Sequence, residues 1–289
     1  MAGSESSTFR ATKALGWFLL NVLQAVFLCA WSILWVSAAL LIQVATFSQD
    51  AALFVPRRIW APGLLWIAGA RVEIRGRERV DYSVPHIFVF NHQSMADICV
   101  GFVSIPVPLR FIAKKVLAFV PFLGWFMWAT GMVFVDRSKS RQAIRSLKKA
   151  GTKIRAGANI IAFPEGTRTR DGRIQPFKKG IFVVAMEARV PIVPVAVEGA
   201  YNVLPRDGYR VRPGVIRVHI GQPIDPKKYG PGQVDRLIRD VRRQMIAQHR
   251  AIGGAGGHLD DAVAPKGTQG NCDPQTEAPM RRKRWLSFR

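Results

Sequence analysis

The chain has 289 residues, with 42 lysines and arginines against 19 acids and a net charge of +23. Its apolar content of 49% excludes a disordered polycation and accommodates one sizeable α/β domain with appendages, or two small domains. The charge excess draws such a chain to polyanions: nucleic acid, an anionic bilayer or a phosphorylated substrate.

Met1 to Lys13 is polar and is expected to fray. No charged residue lies between Ala14 and Gln49. As a helix this run exceeds the ~20 residues that span a bilayer, and it is too long for a signal-peptide core of about 7–15 residues. It reads as a tilted transmembrane helix or as a long helix lying partly in one leaflet; a buried core helix is the soluble alternative. Trp17, Trp31 and Trp35 suit a membrane interface. Arg10 and Lys13 before it and Arg57 and Arg58 after it argue for both flanks staying cytosolic. Ala51 to Ala70 is a second apolar segment, interrupted by Pro56 and Pro62, and is expected to lie antiparallel to the first. Residues 1–70 are thus read as membrane-docking helices. Arg71 to Gly76 alternates polar and apolar residues as an edge strand and opens a domain over 71–250.

His86 to Phe90 (HIFVF) is a short apolar run of β-formers, read as a buried strand and broken by Asn91. Ser94 followed by Asp97 resembles a capping-box helix start. On one continuous helix His92 and Asp97 would point ~140° apart; a turn between them lets the carboxylate reach the imidazole. A carboxylate on one ring nitrogen leaves the other as a general base. The plainer alternative is a capping Asp beside an incidental loop His.

Leu109 to Ala113 is a strand that ends in Lys114 and Lys115. Val116 to Thr130 is uncharged and aromatic, read as core, acyl-chain channel or bilayer-facing patch. Gly131 to Val135 is β-prone and closes on Asp136 and Arg137. Ser138 to Arg155 is an amphipathic helix with Ile144, Leu147 and Ile154 on one side. Asn159 to Phe163 is a strand that runs into the turn Pro164-Glu165-Gly166-Thr167-Arg168. Lys178 to Arg189 is helical, Pro191 to Val197 and Gly214 to Ile220 are strands, and Gln233 to His249 is an amphipathic helix. Strands alternating with helices indicate a three-layer αβα fold. From Gly253 onward periodicity is lost, so 251–289 is read as a disordered basic tail ending in Arg281-Arg282-Lys283-Arg284-Trp285-Leu286. Cys29, Cys99 and Cys272 show neither metal-ligand spacing nor a disulfide framework, which fits a reducing compartment. No metal constellation is visible. His86, His219, His249 and His258 are read as structural or solvated.

Four stretches stand in order: Asn91-His92-Gln93-Ser94-Met95-Ala96-Asp97, Gly131 to Arg137, Phe163-Pro164-Glu165-Gly166-Thr167-Arg168, and Val190 to Val195. Together they resemble the four blocks of the glycerolipid acyltransferases, most closely the bacterial 1-acylglycerol-3-phosphate acyltransferases, over Arg71 to Pro223. The first carries the H-x4-D signature and the third the E-G-T-R signature. Val116 departs from the pattern, standing where relatives often have Glu after the lysine pair. The resemblance implies an O-acyltransferase that moves an acyl chain from a thioester, acyl-CoA or acyl-carrier protein as co-substrate, to lysophosphatidate, with no resident cofactor. In that chemistry His92 takes the alcohol proton and Asp97 fixes its tautomer. The acceptor phosphate needs cations. Arg168 offers a bidentate fork and Lys114 a point charge; Arg137 is a further candidate unless it pairs with Asp136. Gly166 and Thr167 would contact the same anion. Glu165 stands with this substrate-binding block, orienting the turn that carries Arg168.

A different lysolipid acceptor, such as a lyso-ornithine lipid, keeps the same chemistry. A non-enzymatic basic membrane-binding protein explains the charge but not the H-x4-D turn. No nucleic-acid module is recognisable. The expected location is a membrane, on its cytoplasmic face, with anionic lipid as a partner.

Overall fold

In the computed structural model, which describes residues 7–136, 140–207, 211–258 and 262–263, the chain folds around one mixed sheet. The strands are β1 (Ala70–Arg75), β2 (Ile87–Phe90), β3 (Leu109–Lys114), β4 (Val133–Val135), β5 (Asn159–Ala162), β6 (Ile192–Glu198) and β7 (Gly214–Ile220). Their spatial order is β1-β7-β6-β2-β5-β3-β4. Neighbours pair in parallel except β6 and β7, which are antiparallel. The helices are α1 (Ser7–Thr46), α2 (Gln49–Ala52), α3 (Ala61–Ile67), α4 (Ala96–Ser104), α5 (Leu123–Ala129), α6 (Ser140–Arg155), α7 (Gly180–Ala188), α8 (Ala200–Val203) and α9 (Val234–Ala251).

Strand β2 shows why the fold is layered. All four of its residues are apolar and buried, as expected for a central parallel strand covered on both faces. Phe88 and Phe90 face a cluster built from α1, α3, α4 and α5. Ile87 and Val89 face a second cluster with α7, α9 and Ile154 of α6. The helices after β2 and β5, neighbouring strands, therefore lie on opposite faces of the sheet. In α/β sheets such a divergence marks the crevice outside the strands' carboxyl ends where ligands bind.

The N-terminal helices differ in detail from expectation. At 40 residues, α1 extends about 60 Å, twice a hydrocarbon core of ~30 Å. Leu15–Thr46 is long and apolar enough to cross a membrane, with a mean hydropathy of 2.3. Phe18, Leu23, Leu41 and Val44 on it are more than half exposed. Trp31, expected at a membrane interface, packs inward instead. Its indole N–H donates to the Trp60 carbonyl at 3.1 Å, and the Trp60 indole donates to Ser32 Oγ at 3.0 Å. Gly63 permits that contact, because a Cβ there would collide with the Trp31 ring. The second apolar segment is not one helix: α2, a π-turn at Pro56–Trp60 and α3 follow one another, and Leu53, Val55 and Leu65 bury into the cluster under the sheet. The prolines impose the break.

The chain after α9, read from sequence as a tail from residue 251, packs on the domain at residues 252–258 and 262–263. The Ile174 N–H donates to the Gly256 carbonyl at 2.8 Å and the Phe177 N–H to the Ala262 carbonyl at 3.1 Å. Buried Arg242 of α9 donates to the carbonyls of Ile174 (2.9 Å), Gln175 (3.2 Å) and His258. The basic segment at 281–286 and Cys272 lie outside the described residues.

Candidate active site

The turn after β2 brings His92 and Asp97 together. His92 Nδ1 lies 2.8 Å from Asp97 Oδ2. The same oxygen accepts the main-chain N–H groups of Gln93 at 2.7 Å and Ser94 at 2.8 Å. Asp97 is fully buried and sits in the first turn of α4, where the helix dipole favours a negative charge. Because Oδ2 can only accept from its ionised group, the proton of a neutral imidazole sits on Nδ1 and the lone pair on Nε2. Among the described residues Nε2 has no partner, and the His92 side chain keeps 16% of its surface exposed. The expected capping box is one-sided. Asp97 reaches back to the loop, while Ser94 Oγ donates to the Leu204 carbonyl at 2.7 Å and accepts from the Ala96 N–H at 3.1 Å.

The loop after β5 holds His92 from the other side. The His92 N–H donates to Glu165 Oε1 at 2.9 Å, and the His92 carbonyl accepts the Thr169 N–H at 2.8 Å. The Phe163 ring stacks on the imidazole with centroids 4.2 Å apart. Asn91 fixes the strand end: its side-chain amide donates to the Val197 carbonyl at 2.9 Å and accepts the Val197 N–H at 2.7 Å, continuing the β2–β6 ladder. Glu165, grouped from sequence with the substrate-binding residues, is buried. Its second oxygen accepts the Gln175 N–H at 3.2 Å. Burial pushes its carboxyl up to about 8, against the hydrogen bonds from His92 and Gln175. It acts on the main chain of His92.

Arg168 lies in the same loop, half-buried, and among the described residues its guanidinium has no partner. Thr167 is exposed. Gly166 turns the chain at φ +78°, and a Cβ there would lie 2.9 Å from Lys178 Cε. Lys114 is exposed at the carboxyl end of β3, two strands from β2 and so roughly 10 Å across the sheet. Arg137 lies outside the described residues. One cation was missed from sequence. Half-buried Arg206 donates to the Arg168 carbonyl from the loop after β6.

A family model described as Acyltransferase matches residues 71–198. The chain is 33% identical to the 1-acyl-sn-glycerol-3-phosphate acyltransferase of Saccharomyces cerevisiae over 222 residues, 75% of this chain and 73% of the yeast protein. It is 32% identical to the human 1-acyl-sn-glycerol-3-phosphate acyltransferase alpha over 188 residues, covering 65% of this chain and 66% of the human protein. The chain belongs to the 1-acyl-sn-glycerol-3-phosphate acyltransferase family. The crystal structure of the 1-acyl-sn-glycerophosphate acyltransferase PlsC from Thermotoga maritima superposes with a TM-score of 0.68 at 25% identity, covering 80% of this chain and 96% of that one.

In this acyltransferase, residues outside the four sequence blocks also reach the catalytic turn. His249, read from sequence as structural or solvated, is fully buried, with Nε2 2.6 Å from Glu198 Oε2. Gln93 Nε2 donates to that same oxygen at 2.9 Å. Burial pushes Glu198 up, but the hydrogen bonds from His249 and Gln93 outweigh it and hold the carboxyl below its usual range. The pairing joins residues 51 apart in sequence, and the sequence carries no local signal for it.

Proposed function

We propose that this acyltransferase moves an acyl chain from an acyl thioester to the free sn-2 hydroxyl of 1-acyl-sn-glycerol-3-phosphate, forming phosphatidate for phospholipid synthesis. The observation that carries this reading is the 2.8 Å His92–Asp97 contact, with Nε2 open at the crevice in a chain of this family. His92 Nε2 takes the hydroxyl proton as the oxygen attacks the thioester carbonyl. Asp97 stabilises the imidazolium that forms. Collapse of the tetrahedral adduct breaks the carbon–sulfur bond, and the imidazolium returns its proton to the departing thiolate. No protein nucleophile enters. The thioester, acyl-CoA or acyl-carrier protein, is a co-substrate.

Arg168 receives the acceptor phosphate through its guanidinium fork, with Gly166 and Thr167 beside it. Lys114 adds positive charge at the carboxyl end of β3, and Arg137 is a further cation for the same anion. The bare apolar side of α1, together with exposed Phe119, Trp125 and Trp128, seats the domain on anionic lipid at the cytoplasmic face of a membrane.

Purified protein given an acyl thioester and lysophosphatidate should release free thiol in step with phosphatidate, and His92→Ala should stop both. Full turnover by His92→Ala, or no thiol release by the wild type, sinks the assignment. An acceptor screen that prefers another lysolipid would change the substrate but not the chemistry.

A further inference from the structure

Behind the catalytic turn sits a second imidazole–carboxylate pair that the acyl-transfer chemistry does not use. His249 comes from the last turns of α9 and Glu198 from the end of β6, one strand from His92. The tautomer of His249 follows from its neighbours. The Gly256 N–H donates to His249 Nδ1 at 3.0 Å, so Nδ1 bears the lone pair and Nε2 the proton. That Nε2–H points at Glu198 Oε2, 2.6 Å away. The 3.3 Å approach of Gln93 Nε2 to His249 Nε2 sets two donors side by side, so it is not a hydrogen bond. Both donors converge on the one Glu198 oxygen. Glu198 therefore fixes the amide of Gln93, and His249 fixes Glu198. The ring of His249 is itself confined: a Cβ at residue 254 would collide with it, so Gly254 brings bare backbone against the imidazole.

Gln93 is where this pair meets the catalytic one. Its side chain ends on Glu198, and its main-chain N–H ends on Asp97 Oδ2 at 2.7 Å. We infer that His249 and Glu198 are positioning residues for the transfer reaction, holding Gln93 so that its peptide N–H stays on Asp97 and keeps that carboxylate aimed at His92. The inference rests on the acyl-transfer reading of the His92 site. The links that matter here are the ones made: Gln93 Oε1 and Asp97 Oδ1 have no partner among the described residues, so the positions of Gln93 and Asp97 hang on the few hydrogen bonds named above, and losing one frees the next.

The consequence has a sign. Two main-chain N–H groups draw charge from Asp97 Oδ2; with one withdrawn, the carboxylate becomes the stronger acceptor for His92 and favours the imidazolium. The free enzyme then has to be taken to higher pH before the base is neutral. The other titratable groups around Asp97 are Cys99, whose thiol burial pushes up to about 12, and Glu165.

His249→Leu, assayed with an acyl thioester and lysophosphatidate, should lower kcat by about tenfold to a hundredfold, the size expected from loosening a hydrogen bond to a charged group. The KM for each substrate should stay within about twofold, and the acid limb of the kcat/KM profile should move to higher pH. His249→Gln can place an amide N–H near the position of Nε2, facing Glu198, and should restore most of the rate and return the limb. A folded His249→Leu with wild-type kcat and an unmoved limb overturns the inference, as does a loss of rate that His249→Gln does not repair. If His249→Leu does not fold, Glu198→Gln decides: a wild-type rate and limb in that variant overturn it too. These outcomes stand apart from failure of the parent reading, which His92→Ala tests alone.

Discussion

The Phe163 ring lies against the imidazole of His92 with only 25° between their planes, so the residue that closes β5 seats the base that follows β2. The two signature blocks are thereby one object: the second supplies the wall on which the first is oriented. Offset aromatic stacking contributes about 0.5–1.5 kcal/mol beyond area burial. Phe163→Leu keeps an apolar side chain but removes the flat face, and is expected to lower kcat roughly two- to tenfold. The KM for lysophosphatidate should hold. Steady-state kinetics on purified variant and wild type check this, and an unchanged kcat would mean that the ring only fills space.

Asp97→Asn tests the charge of the dyad separately from its geometry. Among the described residues Asp97 Oδ1 has no partner, so an amide nitrogen can stand there while the remaining oxygen still accepts from Gln93, Ser94 and His92. The imidazole keeps its tautomer and loses the negative charge that stabilises its protonated form. The expected result is a fall in kcat of about a hundred- to a thousandfold. The acid limb of the kcat/KM profile should shift to lower pH, because the imidazolium is now less favoured. A limb that stays in place would argue that Asp97 serves only to orient the ring.

Much of this site was legible in the chain before folding. Ile87 to Phe90 announces a buried strand, and the turn after it lets Asp97 reach His92. The turn at Gly166 follows from the residues of its own block. What stayed hidden depends on packing between distant segments. Trp31 reads as an interfacial aromatic, yet Gly63, 32 positions on, leaves a slot that takes it inward. Residues 252–258 carry no periodicity, so no pattern reveals that their backbone is held by the 174–177 loop and by Arg242. His249 lacks a partner nearby in sequence because Glu198 arrives on a different layer of the fold. Local pattern encodes which face of a strand or helix is apolar; it does not encode which polar groups meet after the layers close.

Glu165 makes stability depend on pH. In the unfolded chain its carboxyl titrates near 4.5, and in the fold burial raises it to about 8, with hydrogen bonds from His92 and Gln175 and the charge of Arg242 opposing and Asp97 adding to the rise. Since the folded value lies above the unfolded one, its favourable contribution is complete below about pH 4.5 and is lost as pH climbs to about 8. The loss is on the order of 3–5 kcal/mol at most. Glu165→Gln cannot titrate and turns one amide nitrogen toward a main-chain N–H, which costs a constant amount at every pH. Denaturant unfolding at pH 5 and pH 8.5 should therefore show the wild type losing more stability than the variant. Parallel losses in both proteins would place the titration elsewhere.

The Arg168 guanidinium has no partner among the described residues, while its carbonyl is held by Arg206. The backbone anchor is independent of the side chain, so truncation should remove the phosphate contact without moving the loop. Arg168→Ala is expected to raise the KM for lysophosphatidate about tenfold to a hundredfold, with kcat little changed, because a charge-assisted contact to a distant group binds ground and transition states alike. Arg168→Lys should recover only part of that, since a point charge cannot grip two phosphate oxygens in one plane. Arg206→Ala should raise the same KM by a smaller factor, through loss of the hydrogen bond that steadies the Arg168 carbonyl. Initial rates over a lysophosphatidate series resolve the three variants. If Arg168→Ala lowers kcat and leaves KM alone, the guanidinium acts on the reacting centre and the phosphate is held elsewhere.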